Sequence, residues 1–235
     1  MNVTLPRLAG PLADVWPLLF QLADERPTGW CLVGSQMVIL HAAAHGVERP
    51  LTTEDADVVV DIRQLPTTEI AQWLLDQQFQ FQDVSPDGIG HRFHRGEVVV
   101  DVLAIDHADA SSRTTIPSAR TIAVPGGRRA MGRVIVATVT TDEIAGTVPV
   151  PDWLGAVLLK ARAALRVVDE RSKHLQDLAL LLGLPEDIPR WTDELAGQDR
   201  KHLRRAGELL DETTLQAVGR AIDVRNARAA LALLT

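Results

Sequence analysis

The sequence predicts an α+β protein, in which a small mixed-sheet half precedes a C-terminal helical bundle. Short apolar runs typical of strands are confined to the first 148 residues, where they alternate with helical segments. From residue 151 onward, leucine, alanine and charged residues recur at helical spacing. Val148-Pro149-Val150-Pro151 separates the halves, because proline cannot continue a helix from upstream. We therefore predict domains over 1–148 and 149–235.

The spacing of apolar residues predicts each element of the first half in turn. A helical spacing over 11–26 ends near Pro27, and the apolar run over 30–33 indicates a buried strand. Gly34-Ser35 predicts a tight turn, and the helical segment that follows, over 36–45, stops at Gly46. The remaining predictions are a strand over 58–60, a helix over 67–78, a hairpin over 92–105 turning at Arg95-Gly96, and a strand over 133–139.

Helical spacing alone describes the second half. The predicted helices cover 153–168, 172–182, 201–210 and 221–234. Four tryptophans, two of them in this half, could stack on a base, but with no tyrosine and four phenylalanines in the chain they are better explained as core anchors. They are Trp30, Trp73, Trp153 and Trp191.

The composition is that of an ordinary globular protein. Its 235 residues are 46% hydrophobic and 23% charged, which is enough to bury a full core. The single cysteine, Cys31, lies in an apolar run, so disulfides are excluded and a reducing cytoplasm is the expected setting. No signal-peptide layout is visible and no apolar run approaches a membrane span, so we expect a cytoplasmic protein with no membrane partner.

The charge is acidic and unevenly distributed. The net charge of −7 arises within residues 1–151, which hold 11 basic and 18 acidic residues. This argues against a protein that coats nucleic acid nonspecifically. Residues 111–141 contain five arginines and no acidic residue. That segment is either a basic patch for a triphosphate or an RNA end, or a solvated loop and hairpin.

Asp55 and Asp57 form the first candidate site. Residues two apart in a strand point to the same side, so these carboxylates would project together at the start of an apolar run. Two like charges repel unless a cation lies between them, and Mg²⁺ suits carboxylate oxygens. The pair therefore indicates metal-dependent phosphate chemistry. The alternative is a solvated strand end.

The residues on either side of this pair extend the candidate site. Gly34 permits close backbone approach to a phosphate, Ser35 supplies a hydroxyl, and the following helix N-terminus offers free N–H donors. Asp101 lies in the apolar run 98–103, where a carboxylate needs a partner to offset its desolvation. A neighbouring strand that brings Asp101 beside the pair would provide a third carboxylate.

This order of motifs resembles the nucleotidyltransferases of the DNA polymerase β superfamily, and most of all the AbiEii and MenT-type toxins of bacterial toxin–antitoxin systems. The matching residues are Gly34-Ser35, Leu40-His41, Thr53-x-Asp55-x-Asp57, Leu159-Lys160-Ala161-Arg162-Ala163 and Arg171-Ser172-Lys173-His174-Leu175-Gln176-Asp177-Leu178. The resemblance covers roughly residues 28 to 182. It departs from the family where an arginine is displaced to Arg49 and where Glu54 adds an acid beside the pair.

The resemblance implies transfer of a nucleoside monophosphate from an NTP to an acceptor hydroxyl, with Mg²⁺ or Mn²⁺ as cofactor. Asp55, Asp57 and Asp101 would hold the metal, and Asp101 would also act as general base. Gly34, Ser35 and Lys160 would bind the nucleotide, while Asp177 would orient Lys160 or the acceptor. The implied acceptor is a tRNA 3′ end, and the implied protein partner is a cognate antitoxin.

Three alternatives stay open at this point. A small-molecule nucleotidyltransferase of the antibiotic-modifying kind would share the catalytic half. A non-catalytic module that binds a nucleotide or a partner is also compatible with the fold. Without the resemblance, Lys160 is a core-edge lysine that reaches water and Asp177 is a residue of the wet helix face. A zinc site at His41 and His45 is disfavoured, because no acidic residue accompanies them on that helix.

Overall fold

The computed structural model describes residues 1–47, 55–117, 119–185 and 187–235. The described strands are β1 (Asn2–Thr4), β2 (Trp30–Val33), β3 (Asp55–Val60), β4 (Gln80–Phe81), β5 (Arg92–Arg95), β6 (Val98–Ile105), β7 (Thr114–Ile116), β8 (Ala119–Arg120), β9 (Ala123–Val124), β10 (Val134–Thr140) and β11 (Ala145–Pro151). The described α-helices are α1 (Pro11–Glu25), α2 (Gly34–Ala44), α3 (Thr67–Asp76), α4 (Gly127–Met131), α5 (Trp153–Arg166), α6 (Arg171–Gly183), α7 (Ile188–Thr192), α8 (Gly197–Gly207), α9 (Glu212–Val218) and α10 (Val224–Leu234).

The main sheet has the strand order β2-β3-β6-β5-β4, and β9 pairs with the end of β6. Its central strands β3 and β6 run parallel and are covered on both faces, which explains their valine-rich sequences. Val58 and its even-numbered neighbours join a core with α1 and α3. Val59 and Ile105 face the opposite way and join a core with the C-terminal helices. The odd-numbered residues of β3 and β6 therefore face the helical half.

A second sheet has the order β1-β10-β11 and contains the proposed boundary. Pro149 and Pro151, the two prolines of that boundary, lie within β11 and pair with Val136 and Val134. Proline is tolerated there because β11 lies at the end of this strand order, where one row of N–H groups has no ladder partner. Helix α5 follows directly. The division into domains at residue 148 stays a prediction.

The α+β fold class is confirmed, with a mixed sheet followed by packed helices. The predicted hairpin is also confirmed, but its turn lies at Gly96-Glu97, one residue later than predicted, because Arg95 pairs with Val98. Two further boundaries differ from the prediction: α2 begins at Gly34 instead of after a turn, and β3 is longer than the predicted strand 58–60 because it begins at Asp55. The placement of Asp55 and Asp57 on a strand is confirmed. The sequence patterns missed the short elements, whose few residues carry little periodicity. These are β1, β4, β7, β8, β9, α4, α7 and α9. The seven-residue β11 was also missed, because its two prolines are not typical of a strand.

The C-terminal helices form one packed unit with the odd-numbered face of the main sheet. The tryptophans are core residues as predicted, with Trp30, Trp73, Trp153 and Trp191 all buried. The indole of Trp153 donates to the carbonyl of Leu181 at 2.8 Å, joining α5 to α6. Within the described ranges, no helix is both long enough and apolar enough to cross a membrane.

Candidate active site

Three carboxylates meet on the face of the main sheet that looks toward the helical half. Parallel pairing places Asp57 directly beside Asp101, and Asp55 lies two residues before Asp57 on the same face. Asp101 is buried, whereas Asp55 and Asp57 are half-buried. The structure thus brings the three predicted aspartates together. The resemblance to the DNA polymerase β superfamily also involved three residues that lie outside the described part of the chain: Arg49, Thr53 and Glu54.

The cluster disfavours the ionised form of Asp57. Burial raises the pKa of the Asp57 carboxyl to about 7, and the charges of Asp55 and Asp101 act in the same direction. The ammonium groups of Lys160 and Lys173 partly offset this rise in pKa. A cation bound at the cluster would favour the ionised carboxylate. The electrostatics therefore fit a cation-binding site.

Arg92 is a functional candidate that our sequence reasoning missed. Its guanidinium donates to both oxygens of Asp101, from Nε at 2.8 Å and from a terminal nitrogen at 2.7 Å, and lies 4.0 Å from Asp55. Arg92 and Asp101 are opposite each other in the β5–β6 register. The hairpin prediction did not reveal this pair, because a two-residue turn at Arg95-Gly96 would set Arg92 opposite Val99, whereas the turn lies one residue later, at Gly96-Glu97.

Two of the three carboxylates, those of Asp55 and Asp57, fit the requirements of a hard divalent ion. Asp55 and Asp57 present carboxylates on one face with mutual repulsion, which is the chemistry that Mg²⁺ or Mn²⁺ relieves. Asp101 instead has its two oxygens on Arg92. Among the described residues, no three His, Cys, Asp or Glu side chains are grouped so that they could hold a metal ion. The metal set Asp55, Asp57 and Asp101 stays a prediction.

The backbone of Gly34 lies against the carboxylate of Asp57. Gly34 has φ +66°, and a Cβ built on it would lie 1.7 Å from Oδ2 of Asp57. It is also the first residue of α2, so the free N–H groups of that helix begin beside the carboxylate cluster. Ser35 is buried, and its proposed contact with nucleotide stays a prediction. The Gly-Ser motif therefore adjoins the carboxylates, as a phosphate-binding loop requires.

Replacing Gly34 with alanine is expected to destabilise the protein by more than backbone strain alone. Gly46 gives a matched control, because it has φ +67° and nothing within 4 Å of a built Cβ. We expect about 1–3 kcal/mol of strain from each substitution. Gly34→Ala should cost more, because the Asp57 side chain must also move. Urea unfolding measures both variants, and equal losses would contradict the close packing against Asp57.

Lys160 and Asp177 form an ion pair between α5 and α6. Nζ of Lys160 lies 2.8 Å from Oδ2 of Asp177, and both side chains are almost fully buried. The prediction that Asp177 orients Lys160 agrees with this geometry, and the alternative of two water-facing residues does not. Burial and the charge of Lys160 lower the pKa of nearby His174 to about 4. Lys160 is thus a buried cation whose field reaches both His174 and Asp57.

His41 has a structural partner. Its Nε2 lies 3.0 Å from the carbonyl oxygen of Pro151, joining α2 to the end of β11. His45 contacts the carbonyl of His41 through Nδ1 at 2.8 Å. Both contacts support the preference against a zinc site at this pair.

The arginines of residues 111–141 do not form one open basic patch. Arg129 pairs with Asp199 at 3.2 Å, and Arg133 pairs with both Asp152 and Glu194. Arg113 donates to a backbone carbonyl, as does Arg120. Tertiary contacts thus supply carboxylates to two of the five arginines, and Arg128 is exposed, so the use of this segment by a triphosphate or an RNA end stays a prediction.

Comparison with solved structures agrees with this architecture. The crystal structure of an antigenic nucleotidyltransferase-like protein from Paracoccidioides brasiliensis superposes with a TM-score of 0.52 at 15% identity, over 89% of this chain and 92% of that one. The chain has a nucleotidyltransferase-like fold. No family model matches the sequence. No curated protein matches it either.

Two structures of ANT(2″)-Ia are also similar to this chain. The complex with adenylyl-2″-tobramycin has a TM-score of 0.46 at 14% identity, over 84% of this chain and 98% of that one. The solution structure of the same antibiotic-resistance factor has a TM-score of 0.42 at 16% identity, over 83% and 90%. The AbiEii and MenT type stays a prediction.

Removing the guanidinium of Arg92, which binds both oxygens of Asp101, is expected to make the melting temperature depend more strongly on added divalent cation. Arg92→Gln removes the cation that now lies between Asp101 and Asp55, so repulsion within the cluster should lower the melting temperature in EDTA. Added Mg²⁺ should restore more of that loss than it adds to the wild type. Arg225 binds Asp223 in a similar fork on the surface, so Arg225→Gln is the control. An equal Mg²⁺ response of both variants would contradict the prediction.

Proposed function

We propose that this protein is a metal-dependent nucleotidyltransferase that moves a nucleoside monophosphate from an NTP to an acceptor hydroxyl. The observation that carries the proposal is the contact between Gly34, at the start of α2, and Asp57, with Asp55 and Asp101 on the same sheet face. A phosphate-binding helix N-terminus and a carboxylate cluster meet there. Positioning and charge neutralisation supply most of the catalysis in phosphoryl-type transfer.

The chain's own residues account for the steps of such a transfer. The first N–H groups of α2 bind oxygens of the triphosphate. Asp55 and Asp57 would hold Mg²⁺, which would supply charge neutralisation at the phosphates. The acceptor oxygen forms a bond to the α-phosphorus as the bond to the β-phosphate oxygen breaks and pyrophosphate leaves. Asp101 accepts the acceptor's proton once Arg92 releases one carboxylate oxygen. Lys160, held by Asp177, offsets charge on the pyrophosphate.

The finer proposal is that the acceptor is a tRNA 3′ end and that the protein is a toxin with a cognate antitoxin. The sequence motifs at Gly34-Ser35, Asp55, Asp57 and Lys160 support it through their resemblance to the toxin nucleotidyltransferases. An antibiotic-type acceptor is the rival for the same catalytic half. Both share the transfer chemistry and differ only in the molecule that carries the hydroxyl.

A transfer assay tests the proposal. The protein is incubated with each α-labelled NTP and Mg²⁺, together with total tRNA in one arm and a set of aminoglycosides in another. Label in RNA supports the tRNA acceptor, and label in a small product supports the antibiotic type. Asp57→Ala should abolish transfer. Asp83→Ala is the control and should not, because Asp83 is exposed in the segment between β4 and β5. Mg²⁺-independent NTP binding without turnover would favour the non-catalytic module.

Induced expression in a bacterial host tests the toxin proposal separately. Growth arrest by the wild type, relieved by Asp57→Ala at equal expression, is the expected result. Sequencing of tRNA ends from arrested cells then identifies the nucleotide added. Arrest that Asp57→Ala leaves unchanged would show that toxicity does not depend on the carboxylate cluster.

A further inference from the structure

A large cavity lies at the other end of β6 from the carboxylate cluster, between the loop before α4 and helices α5 and α8. Its volume is about 980 Å³. Asp106, at its rim, comes five residues after Asp101, which is about 17 Å along an extended strand. A single phosphate group cannot contact both places. We call this cavity the arginine cleft, after its lining residues Arg162, Arg166 and Arg205.

The arginine cleft carries cations that the described part of the chain leaves without carboxylates. Arg166 and Arg205 are exposed, and neither makes an ion pair or side-chain hydrogen bond with a described residue. Arg128 is exposed in an adjoining cavity of about 330 Å³, and its side chain likewise makes no ion pair or hydrogen bond with a described residue. Most other arginines in this acidic protein are bound to carboxylates or carbonyls. Unpaired guanidinium groups that line a cavity indicate an external anion.

The two carboxylates near the arginine cleft already have partners within the protein. Asp106 accepts the backbone N–H groups of Gly126 at 2.8 Å and Arg128 at 2.9 Å. Asp199 is buried and accepts from Arg162 at 3.0 Å while pairing with Arg129. These bonds fix the floor of the cleft. Asp199 is neutralised by its two arginines, whereas Asp106 keeps its charge, because backbone N–H groups are neutral, and lies 3.9 Å from Arg162. The outward cations are left for a ligand.

The electrostatics of His202 agree with a positive cleft. Its pKa is lowered, first by burial and then by the charge of Arg162, with Arg166 acting in the same direction. Asp199 opposes this shift without reversing it. A bound anion would favour protonated His202. The residue is therefore a local reporter of occupancy.

We propose that the arginine cleft is a second anion site, separate from the carboxylate cluster, which binds a phosphate-bearing ligand through Arg166 and Arg205 above the anchored Arg162. Guanidinium forks match phosphate oxygens in pairs, whereas a polycationic ligand would be repelled. Two sources offer this chemistry: a free polyphosphate and the phosphodiester chain of an oligonucleotide. The site does not depend on the proposed transferase activity.

Binding measured in EDTA separates this site from metal-assisted binding at the carboxylates. Inorganic triphosphate is the first probe, a hexanucleotide without terminal phosphate is the second, and the parent nucleoside is the neutral control. We expect at least one phosphate probe to bind, with an affinity that falls as salt rises. Tighter triphosphate binding assigns a free polyphosphate, and tighter hexanucleotide binding assigns a phosphodiester chain.

Charge reversal tests the residues. Arg166→Glu/Arg205→Glu should weaken the bound probe at least tenfold, whereas Arg220→Glu, an exposed arginine outside the cleft, should leave its affinity within twofold. In NMR titrations the probe should raise the pKa of His202 in the wild type. No binding of either phosphate probe, or equal losses in the Arg220→Glu control, would overturn the proposal. Transfer activity plays no part in these outcomes, so the proposed function can fail independently.

Discussion

Asp57→Asn should make the protein more stable at pH 8 in the absence of divalent cations, while it abolishes nucleotidyl transfer. Burial first, and then the charges of Asp55 and Asp101, raise the pKa of the wild-type carboxyl from the ordinary value of 3.8 to about 7 on folding. Asparagine keeps the shape and removes the charge. A substitution that removes an active-site group and raises stability is the signature of a strained functional cluster.

The direction follows from proton linkage. Below about pH 4 the carboxyl is protonated in both the folded and the unfolded state, so it contributes no difference. As the pH rises toward 7, the unfolded chain loses this proton more readily than the folded chain, and the free energy of unfolding falls. Above pH 7 the loss is complete, with a ceiling on the order of 4 kcal/mol for a rise of about three pKa units.

Urea unfolding at pH 4.5 and pH 8 in EDTA measures this effect. The gain from Asp57→Asn should be large at pH 8 and small at pH 4.5, whereas Asp83→Asn, an exposed control, should change little at either pH. Added Mg²⁺ should stabilise the wild type at pH 8, because it favours the ionised carboxylate, and should have less effect on Asp57→Asn. A variant that is less stable than the wild type at pH 8 would contradict the proposed repulsion.

The positions of the three aspartates could be predicted because each strand carries its own signal. The apolar runs of β3 and β6 mark buried strands, and a two-residue spacing fixes the shared face of Asp55 and Asp57. What the sequence could not determine is the register between β3 and β6, which sets Asp57 beside Asp101. That register depends on packing against α1, α3 and the helical half.

The partners of the charged residues were harder to predict, because they come from distant parts of the chain. Arg133 meets Asp152 and Glu194 only after the helical half has packed onto the sheet, so a segment that looked basic is partly neutralised. At the arginine cleft, Arg205 lies in the basic run 200–205, but Arg166 comes from a different helix, so the run alone does not predict the cleft. Local charge patterns therefore predicted the carboxylate site but not the partners of the arginines.

Lys160→Met is expected to destabilise the protein by about 3–5 kcal/mol, because it leaves the buried carboxylate of Asp177 without its ammonium partner. Asp177→Leu should cost a similar amount for the opposite reason. The double variant Lys160→Met/Asp177→Leu removes both charges and should recover much of the loss, since no buried charge is left uncompensated, while the larger leucine limits the recovery. Urea unfolding of the four proteins gives the coupling free energy.

The same four proteins separate the structural from the chemical role of Lys160. If its ammonium offsets charge on the departing pyrophosphate, the double variant should regain stability but not transfer activity, with the loss in kcat larger than the change in KM. A stable and fully active double variant would show that the pair only holds α5 against α6. A double variant no more stable than either single one would contradict the ion pair as the main interaction of both side chains. Stability and turnover therefore give independent answers about one buried contact of 2.8 Å.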